Sequence, residues 1–105
     1  MPFIALEKRQ RLKNGYCRRF TAGGRPILLI HSEGETYAVD ARCPHDGSSL
    51  ARGRIAAGCI RCPKHGIQFS LASGRAQGGD AVASVPSLGC LPVVAEGDQI
   101  GVVVE

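Results

Sequence analysis

The chain has 105 residues, of which 44% are hydrophobic and 21% are charged. These values exclude a disordered chain, and the length leaves no room for two domains of ordinary size. We therefore predict a single domain over residues 1–105. No segment approaches the roughly 20 apolar residues of a membrane span, and residues 1–9 lack the charged-then-apolar order of a secretion signal. These features predict a cytoplasmic protein with no membrane partner.

Positive charge is in excess, because the formal net charge is +4 and seven of the 13 basic residues precede residue 26. Such an excess favours an anionic partner, which could be a nucleic acid, a membrane surface or an acidic protein. The alternative is a solvated surface that keeps the protein in solution. We favour this alternative and expect no nucleic-acid partner, because the charges are dispersed and no nucleic-acid-binding signature accompanies them.

Short apolar segments alternate with turns rich in glycine, a pattern typical of an all-β protein. Glu7–Leu12 follows the first segment and is compatible with a short helix. Ile27–Ile30 is a continuous apolar run, as expected for a strand buried on both faces. Near the end of the chain, Gly97-Asp98 predicts a hairpin between the last two strands. The predicted strands are Phe3–Leu6, Tyr16–Thr21, Pro26–His31, Thr36–Asp40, Gly58–Arg61, Ile67–Ser70, Leu91–Ala95 and Gln99–Val104.

The middle of the chain breaks the strand pattern and is rich in Cys, His, Pro and Gly. It contains a C-x-H motif at Cys43 and His45 and a C-x2-H motif at Cys62 and His65, with 16 residues between the two motifs. Each motif offers one thiolate and one imidazole, both of which are ligands for transition metals. We therefore predict a metal-binding unit over approximately residues 41–70.

The two motifs and their surroundings, Cys-Pro-His-x-Gly, then Cys-Pro-x-His-Gly, then Phe69 and Gly74, resemble the signature of Rieske iron–sulfur proteins. The resemblance implies an antiparallel β sandwich or barrel with a small inserted cluster-binding subdomain. It also implies one [2Fe–2S] cluster as cofactor. Cys43 and Cys62 would bind one iron, and His45 and His65 the other.

The resemblance also bears on the reduction potential. Respiratory Rieske proteins brace their loops with a disulfide and donate hydrogen bonds to the cluster from a serine and a tyrosine. The corresponding positions in this chain hold Ser48 and Lys64 in place of the disulfide cysteines, and Ile67 and Phe69 in place of the donors. Fewer donors stabilise the reduced state less, so we predict a potential at the low end of the Rieske range, about −150 mV.

Among Rieske proteins, the small ferredoxins of ring-hydroxylating oxygenases are the group that this chain resembles. The resemblance implies a one-electron carrier, without enzymatic activity, between a flavin-dependent ferredoxin reductase and a terminal oxygenase. Those ferredoxins are commonly acidic, whereas basic residues surround the motifs here, so we expect an acidic docking face on the partner. The basic residues, against Asp46 alone, are Arg42, Arg52, Arg54, Arg61 and Lys64.

Two alternatives remain open at this point. The chain could be the cluster-bearing small subunit of a larger redox enzyme, as in assimilatory nitrite reductase. It could instead be a structural zinc module that uses Cys43, Cys59, Cys62 and one histidine.

The remaining cysteines and aromatic residues have simpler interpretations. We predict that Cys17, Cys59 and Cys90 are small buried hydrophobes, since unmodified cysteine is among the most buried residue types. Tyr16 and Tyr37 are expected to pack across strands.

Overall fold

The computed structural model describes residues 3–44, 47, 49–63, 66–77 and 85–104. Within these ranges the fold is all-β, as predicted. In the Glu7–Leu12 segment, Glu7 and Lys8 end the first strand, and a single 3-10 turn follows at Arg9–Arg11. No helix in this part of the chain is long and apolar enough to cross a membrane. The strands are β1 (Phe3–Lys8), β2 (Tyr16–Ala22), β3 (Arg25–Ser32), β4 (Glu35–Asp40), β5 (Arg54–Ala56), β6 (Cys59–Arg61), β7 (Gln68–Ser70), β8 (Ala76–Gln77), β9 (Cys90–Leu91), β10 (Val93–Glu96) and β11 (Gln99–Val103).

The strands form three antiparallel sheets. The base sheet has the order β1-β11-β10, the central sheet β2-β3-β4-β9 and the small sheet β5-β6-β7-β8. All four strands of the small sheet lie in sequence between β4 and β9, which are neighbours in the central sheet. The small sheet is therefore an insertion into the larger architecture, as the resemblance implied, and it extends to Gln77, past residue 70.

Strand β3 lies at the centre of the molecule because both of its faces are buried. The side chains of Ile27, Leu28, Leu29 and Ile30 are all 0% exposed, which confirms the interpretation of the continuous apolar run. Ile27 and Leu29 pack in one core with Ile100 of the base sheet. Leu28 and Ile30 pack in a second core with residues of the small sheet. The central sheet thus separates two apolar cores, and the second core lies beneath the inserted unit.

The predicted strand Leu91–Ala95 is wrong as a single element. Leu91 belongs to β9 and pairs with Ala38 in the central sheet, whereas Val93 begins β10 and pairs with Val102 in the base sheet. Pro92 lies between them and has no backbone N–H to donate to a ladder, so the chain changes sheets at this residue.

Two strands of the small sheet, β5 and β8, were not predicted from the sequence. They have three and two residues and lack a clear apolar alternation, so they form only because β6 and β7 offer edges to pair with. Tyr16 pairs with His31 and Tyr37 with Ile30, which confirms their predicted cross-strand positions.

Candidate metal centre

Two loops carry the predicted cysteine ligands. The first cysteine loop spans residues 42–49 and begins just after β4. The backbone N–H of Leu50 donates to the carbonyl of Ala41 over 2.8 Å, and Arg42 and Ser49 form a β-bridge, so the ends of this loop are held together. The second cysteine loop spans residues 62–67 and connects β6 to β7. It is closed by a 2.8 Å hydrogen bond from the N–H of Cys62 to the carbonyl of Ile67.

The two loops share one hydrogen bond and one glycine conformation. The N–H of Gly47 donates to the carbonyl of Cys43 over 2.8 Å, and the N–H of Gly66 donates to the carbonyl of Cys62 over 3.0 Å. Both glycines have positive φ, at 79° and 73°. A residue with a side chain is strained at such angles, so the glycines of the two motifs are required by the turns themselves. Each cysteine therefore begins a five-residue turn that is closed by a hydrogen bond from the glycine four positions later.

Both cysteines face the core beneath the insertion. Cys43 is 1% exposed and Cys62 is 0% exposed, and both belong to the buried cluster that includes Leu50, Ile60 and Phe69. No disulfide joins any of the five cysteines. An ionised thiolate in apolar surroundings is unfavourable unless it binds a cation, and metal binding supplies that compensation. The burial of this pair therefore suits metal ligation.

Cys43 and Cys62 belong to the same buried cluster, whereas the predicted ligands His45 and His65 lie outside the described residues. Asp46 and the residues that replace the disulfide cysteines, Ser48 and Lys64, also lie outside them. The histidine half of the ligand set accordingly stays a prediction.

Cys59 does not join the other two cysteines. In β6, Ile60 is buried in the core, while Cys59 and Arg61 lie on the opposite face of the small sheet. The thiol of Cys59 lies 3.6 Å from Oε1 of Gln77. Among the described residues, which include all five cysteines, no group of three or more His, Cys, Asp or Glu side chains converges. The zinc site that uses three cysteines is therefore wrong.

The other two cysteines are less buried than predicted. Cys90 is exposed, so its assignment as a core residue is wrong; β9 is an edge strand of the central sheet. Cys17 is half-buried against the second core, and burial raises the pKa of its thiol. A raised pKa keeps that thiol protonated near neutral pH and makes it a poor metal ligand.

Ile67 and Phe69 correspond, by the family resemblance, to the hydrogen-bond donors of respiratory Rieske proteins. Ile67 is 2% exposed and Phe69 is 0% exposed, and both belong to the same buried cluster as Cys43 and Cys62. Neither side chain carries a hydrogen-bond donor. The side chains that these two positions contribute to the site are therefore entirely apolar.

The sequence analysis did not identify Leu88 and Gly89, which contact the core beneath the insertion and the end of β4. Leu88 is 2% exposed and joins the cluster of Cys43 and Cys62, and its N–H donates to the carbonyl of Gly74 over 2.7 Å. The next residue, Gly89, accepts a 2.9 Å hydrogen bond from the N–H of Asp40. A side chain on Gly89 would meet the carboxylate of Asp40 and the guanidinium of Arg25, so a larger residue here would displace that ion pair. No periodic pattern marks this segment, and only its tertiary contacts show its role.

A family model described as the Rieske [2Fe–2S] domain matches residues 3–89 of the chain. The chain belongs to the Rieske [2Fe–2S] domain family. The cofactor of this Rieske protein is therefore one [2Fe–2S] cluster, which exchanges single electrons. The two buried cysteines, placed in matching loops, fit the thiolate half of the ligands that such a cluster needs.

Curated relatives match parts of the chain. It is 38% identical over 63 residues to apoptosis-inducing factor 3 from Homo sapiens, a match that covers 60% of the chain and 10% of that protein. It is 39% identical over 51 residues to the 3-phenylpropionate/cinnamic acid dioxygenase ferredoxin subunit of Photorhabdus laumondii, covering 48% of the chain and 49% of that subunit. The chain thus spans about a tenth of the length of the first relative and about half that of the second.

Solved structures share the whole fold. The ferredoxin of carbazole 1,9a-dioxygenase from Nocardioides aromaticivorans superposes with a TM-score of 0.85 at 23% identity, over 97% of both chains. A complex of reduced oxygenase and oxidized ferredoxin in carbazole 1,9a-dioxygenase gives 0.84 at 23% identity, over 95% of this chain and 91% of that one. A structure described as a nitrite reductase NADPH small subunit gives 0.78 at 20% identity, over 99% and 100%. At these identities, the likeness shows the fold alone.

Proposed function

We propose that this Rieske protein is a one-electron carrier that passes electrons from a flavin-dependent ferredoxin reductase to a terminal oxygenase, and that it transforms no substrate itself. The observation that carries the proposal is the pair of matching cysteine loops, with both cysteines buried in one core, on a fold that matches a ferredoxin from end to end. A single Rieske domain over residues 1–105 is part of the same proposal.

The proposed cluster ligands are Cys43 and Cys62 on one iron and His45 and His65 on the other. The chain's own contribution is to hold the two cysteines in equivalent turns and to keep water away from them. The burial of both cysteines and of Phe69 supports this role. Exclusion of water also lowers the reduction potential, because the negative charge that reduction adds to a buried centre is poorly solvated.

We further propose a potential at the low end of the Rieske range, about −150 mV. The apolar side chains of Ile67 and Phe69 support this value, since neither donates a hydrogen bond that would stabilise the reduced state. Nearby arginines act in the opposite direction, because positive charge favours the more negative, reduced centre. We assign the larger effect to the missing donors because these positions lie inside the core, whereas the arginines are exposed to solvent.

The oxygenase partner is supported by the fold of the carbazole 1,9a-dioxygenase ferredoxin, which is described in a complex with its oxygenase. The flavin-dependent reductase is proposed from the family resemblance. An acidic docking face on the partner is proposed from the excess of basic residues around the two motifs.

A second candidate is a cluster-bearing small subunit of a larger redox enzyme. The observation that favours it is the likeness to the nitrite reductase small subunit, which extends over 99% of this chain. Size-exclusion chromatography after co-expression with candidate large subunits separates the two proposals. A carrier elutes alone as a monomer, whereas a subunit co-elutes with its enzyme.

Electron delivery tests the main proposal directly. The holoprotein is reduced anaerobically with dithionite, freed of excess reductant and mixed with oxidised terminal oxygenases of ring-hydroxylating systems. We expect the visible spectrum of the oxidised cluster to return as the oxygenase is reduced. The absence of electron transfer to every hydroxylating oxygenase, with a cluster that is intact by EPR, would overturn the proposal.

A further inference from the structure

Two arginines face each other across neighbouring strands of the small sheet. In the register between β5 and β6, Arg54 lies directly opposite Arg61, and Ile55 lies opposite Ile60. Ile60 is fully buried and Ile55 packs against the same core, so the alternating residues of both strands point to the other face. Arg54 and Arg61 are exposed there, with their Cβ atoms about 5 Å apart as for any directly opposed pair.

This juxtaposition is unfavourable in the isolated chain. Like charges directly opposite each other in a sheet repel, and three other exposed arginines, Arg11, Arg18 and Arg25, lie near a carboxylate. Arg25 binds Asp40 over 2.7 Å, and Arg18 lies 3.7 Å from Glu7. Within the described ranges, neither the guanidinium of Arg54 nor that of Arg61 forms an ion pair or a hydrogen bond. The sheet thus holds two guanidinium groups together without compensating negative charge.

The arginines line a groove that offers hydrogen-bond donors. The groove has a volume of about 180 Å³ and is lined by Arg54, Ala56, Cys59, Arg61 and Gln68, which we call the arginine groove. Gln68 lies opposite Arg61 in the register between β6 and β7, so its amide is adjacent to the second guanidinium. Two planar guanidinium forks and an amide match the geometry of carboxylate groups, which accept paired hydrogen bonds.

The groove also adjoins the second cysteine loop. A Cβ built on Gly66 would lie 3.0 Å from Nη2 of Arg61, so this guanidinium rests against the turn that begins at Cys62. A partner group held by Arg61 would therefore lie beside the loop that carries half of the proposed cluster ligands.

We propose that the arginine groove binds carboxylate side chains of an acidic protein partner and so positions that partner beside the second cysteine loop. The inference rests on the proposed function, because it specifies where the electron-transfer partner docks. It explains why two unpaired arginines occupy opposed positions in a sheet. Binding of carboxylates replaces their mutual repulsion with attraction, and buried charge-assisted hydrogen bonds add specificity.

The probe for this proposal is a fluorescein-labelled hexaglutamate peptide, titrated with the oxidised holoprotein and followed by fluorescence anisotropy. We expect R54Q and R61Q each to weaken binding severalfold and the double variant to weaken it about tenfold or more. The control is R9Q/K13Q, which removes the same charge from exposed residues outside the small sheet. We expect the control to weaken binding no more than about twofold, by its effect on net charge alone.

Two further readouts separate docking from a structural role. The peptide should slow alkylation of Cys59, which lines the groove, but not that of the exposed Cys90. R54Q should raise the midpoint of thermal unfolding by about 1–4 °C, since it removes like-charge repulsion. A fall of several degrees would mean that Arg54 supports the fold, and it would overturn the proposal.

Equal weakening by R54Q/R61Q and by R9Q/K13Q would overturn the proposal, because binding would then depend only on net charge. Displacement of the peptide by inorganic phosphate at equal concentration would also overturn it, since the groove would then favour a different anion. None of these measurements requires electron transfer. If R54Q/R61Q binds peptide normally while the wild type still reduces an oxygenase, the groove assignment fails and the electron-carrier proposal stands.

Discussion

Gly47 and Gly66 occupy equivalent positions in the two cysteine loops. Each lies four residues after a cysteine, donates its N–H to that cysteine's carbonyl and has a φ between 73° and 79°. The surroundings differ, because a Cβ on Gly47 would meet nothing within 4 Å whereas a Cβ on Gly66 would lie 3.0 Å from Arg61. The loops are thus locally alike but differently packed.

Alanine at either glycine should strain its loop. We expect G47A and G66A each to lower the free energy of unfolding by about 1–2 kcal/mol, the cost of a left-handed conformation with a side chain, and to reduce the iron content. Urea unfolding and iron analysis measure the two effects. The matched control is G34A, which has a φ of 82° and open space in the turn between β3 and β4. It should lose similar stability but keep its iron; equal iron loss in all three would contradict a special role for the loops.

The proposed ligands can be tested against matched residues of the same type. H45A, H65A, C43S and C62S should each abolish the EPR spectrum of the dithionite-reduced cluster, because each would remove one ligand of an iron. His31 is the remaining histidine of the chain, and its ring lies 2.8 Å from the Thr36 hydroxyl in the central sheet. H31A and C59A should retain the spectrum. A normal spectrum from any of the first four variants would remove that residue from the ligand set.

The potential should respond to a donor placed in the core. We expect the wild-type midpoint near the low end of the Rieske range, about −150 mV, and expect F69Y to raise it by about 60 mV if its hydroxyl donates to the cluster region. Protein-film voltammetry measures both values. Y37F serves as the control, since Tyr37 packs against the same core but is only partly buried; it should leave the midpoint unchanged. A wild-type midpoint well above 0 mV would contradict the interpretation of Ile67 and Phe69.

The stability of the fold should depend on pH through Tyr16 and Glu7. The phenol of Tyr16 donates to Oε2 of Glu7 over 2.8 Å, and burial, together with this bond, raises the pKa of Tyr16 to about 12. Since the unfolded pKa is about 10, the stabilisation is complete below pH 10 and is lost from about pH 10 to about pH 12. Thermal unfolding of the wild type and Y16F should differ at neutral pH and converge over that window. A constant difference up to pH 12 would contradict the assignment.

In the acid range, stability depends on pH through Glu7 and falls as the pH is lowered. The pKa of Glu7 is lowered, chiefly by the N–H of Lys8 and then by the Tyr16 hydroxyl. A lowered pKa contributes stability above the ordinary value of 4.5, and that contribution is lost as pH falls through the folded pKa. E7Q should therefore differ from the wild type at neutral pH and approach it in acid.

Much of the fold could be predicted because its signals are local. The run Ile27–Ile30 has no polar residue, so a strand with two buried faces is the only sheet position that suits it, and the structure places β3 there. The motif Cys-x3-Gly is also local, and in both copies the glycine N–H donates to the carbonyl of the cysteine. The Cys90 and Leu91–Ala95 predictions failed because exposure at a sheet edge and a change of sheet at Pro92 depend on strands far away in sequence.

The sequence by itself determined the chemistry of this protein: the motifs around Cys43 and Cys62 specify a Rieske domain, since metal ligands and turn glycines must stand at set spacings along the chain. Only the tertiary structure decided which residues share a face. It separated Cys59 from Cys43 and Cys62, the proposed cysteine ligands, since alternate residues of a strand point to opposite sides. It also placed Arg54 opposite Arg61, because strand register is set by pairing between segments and is not encoded in either segment alone.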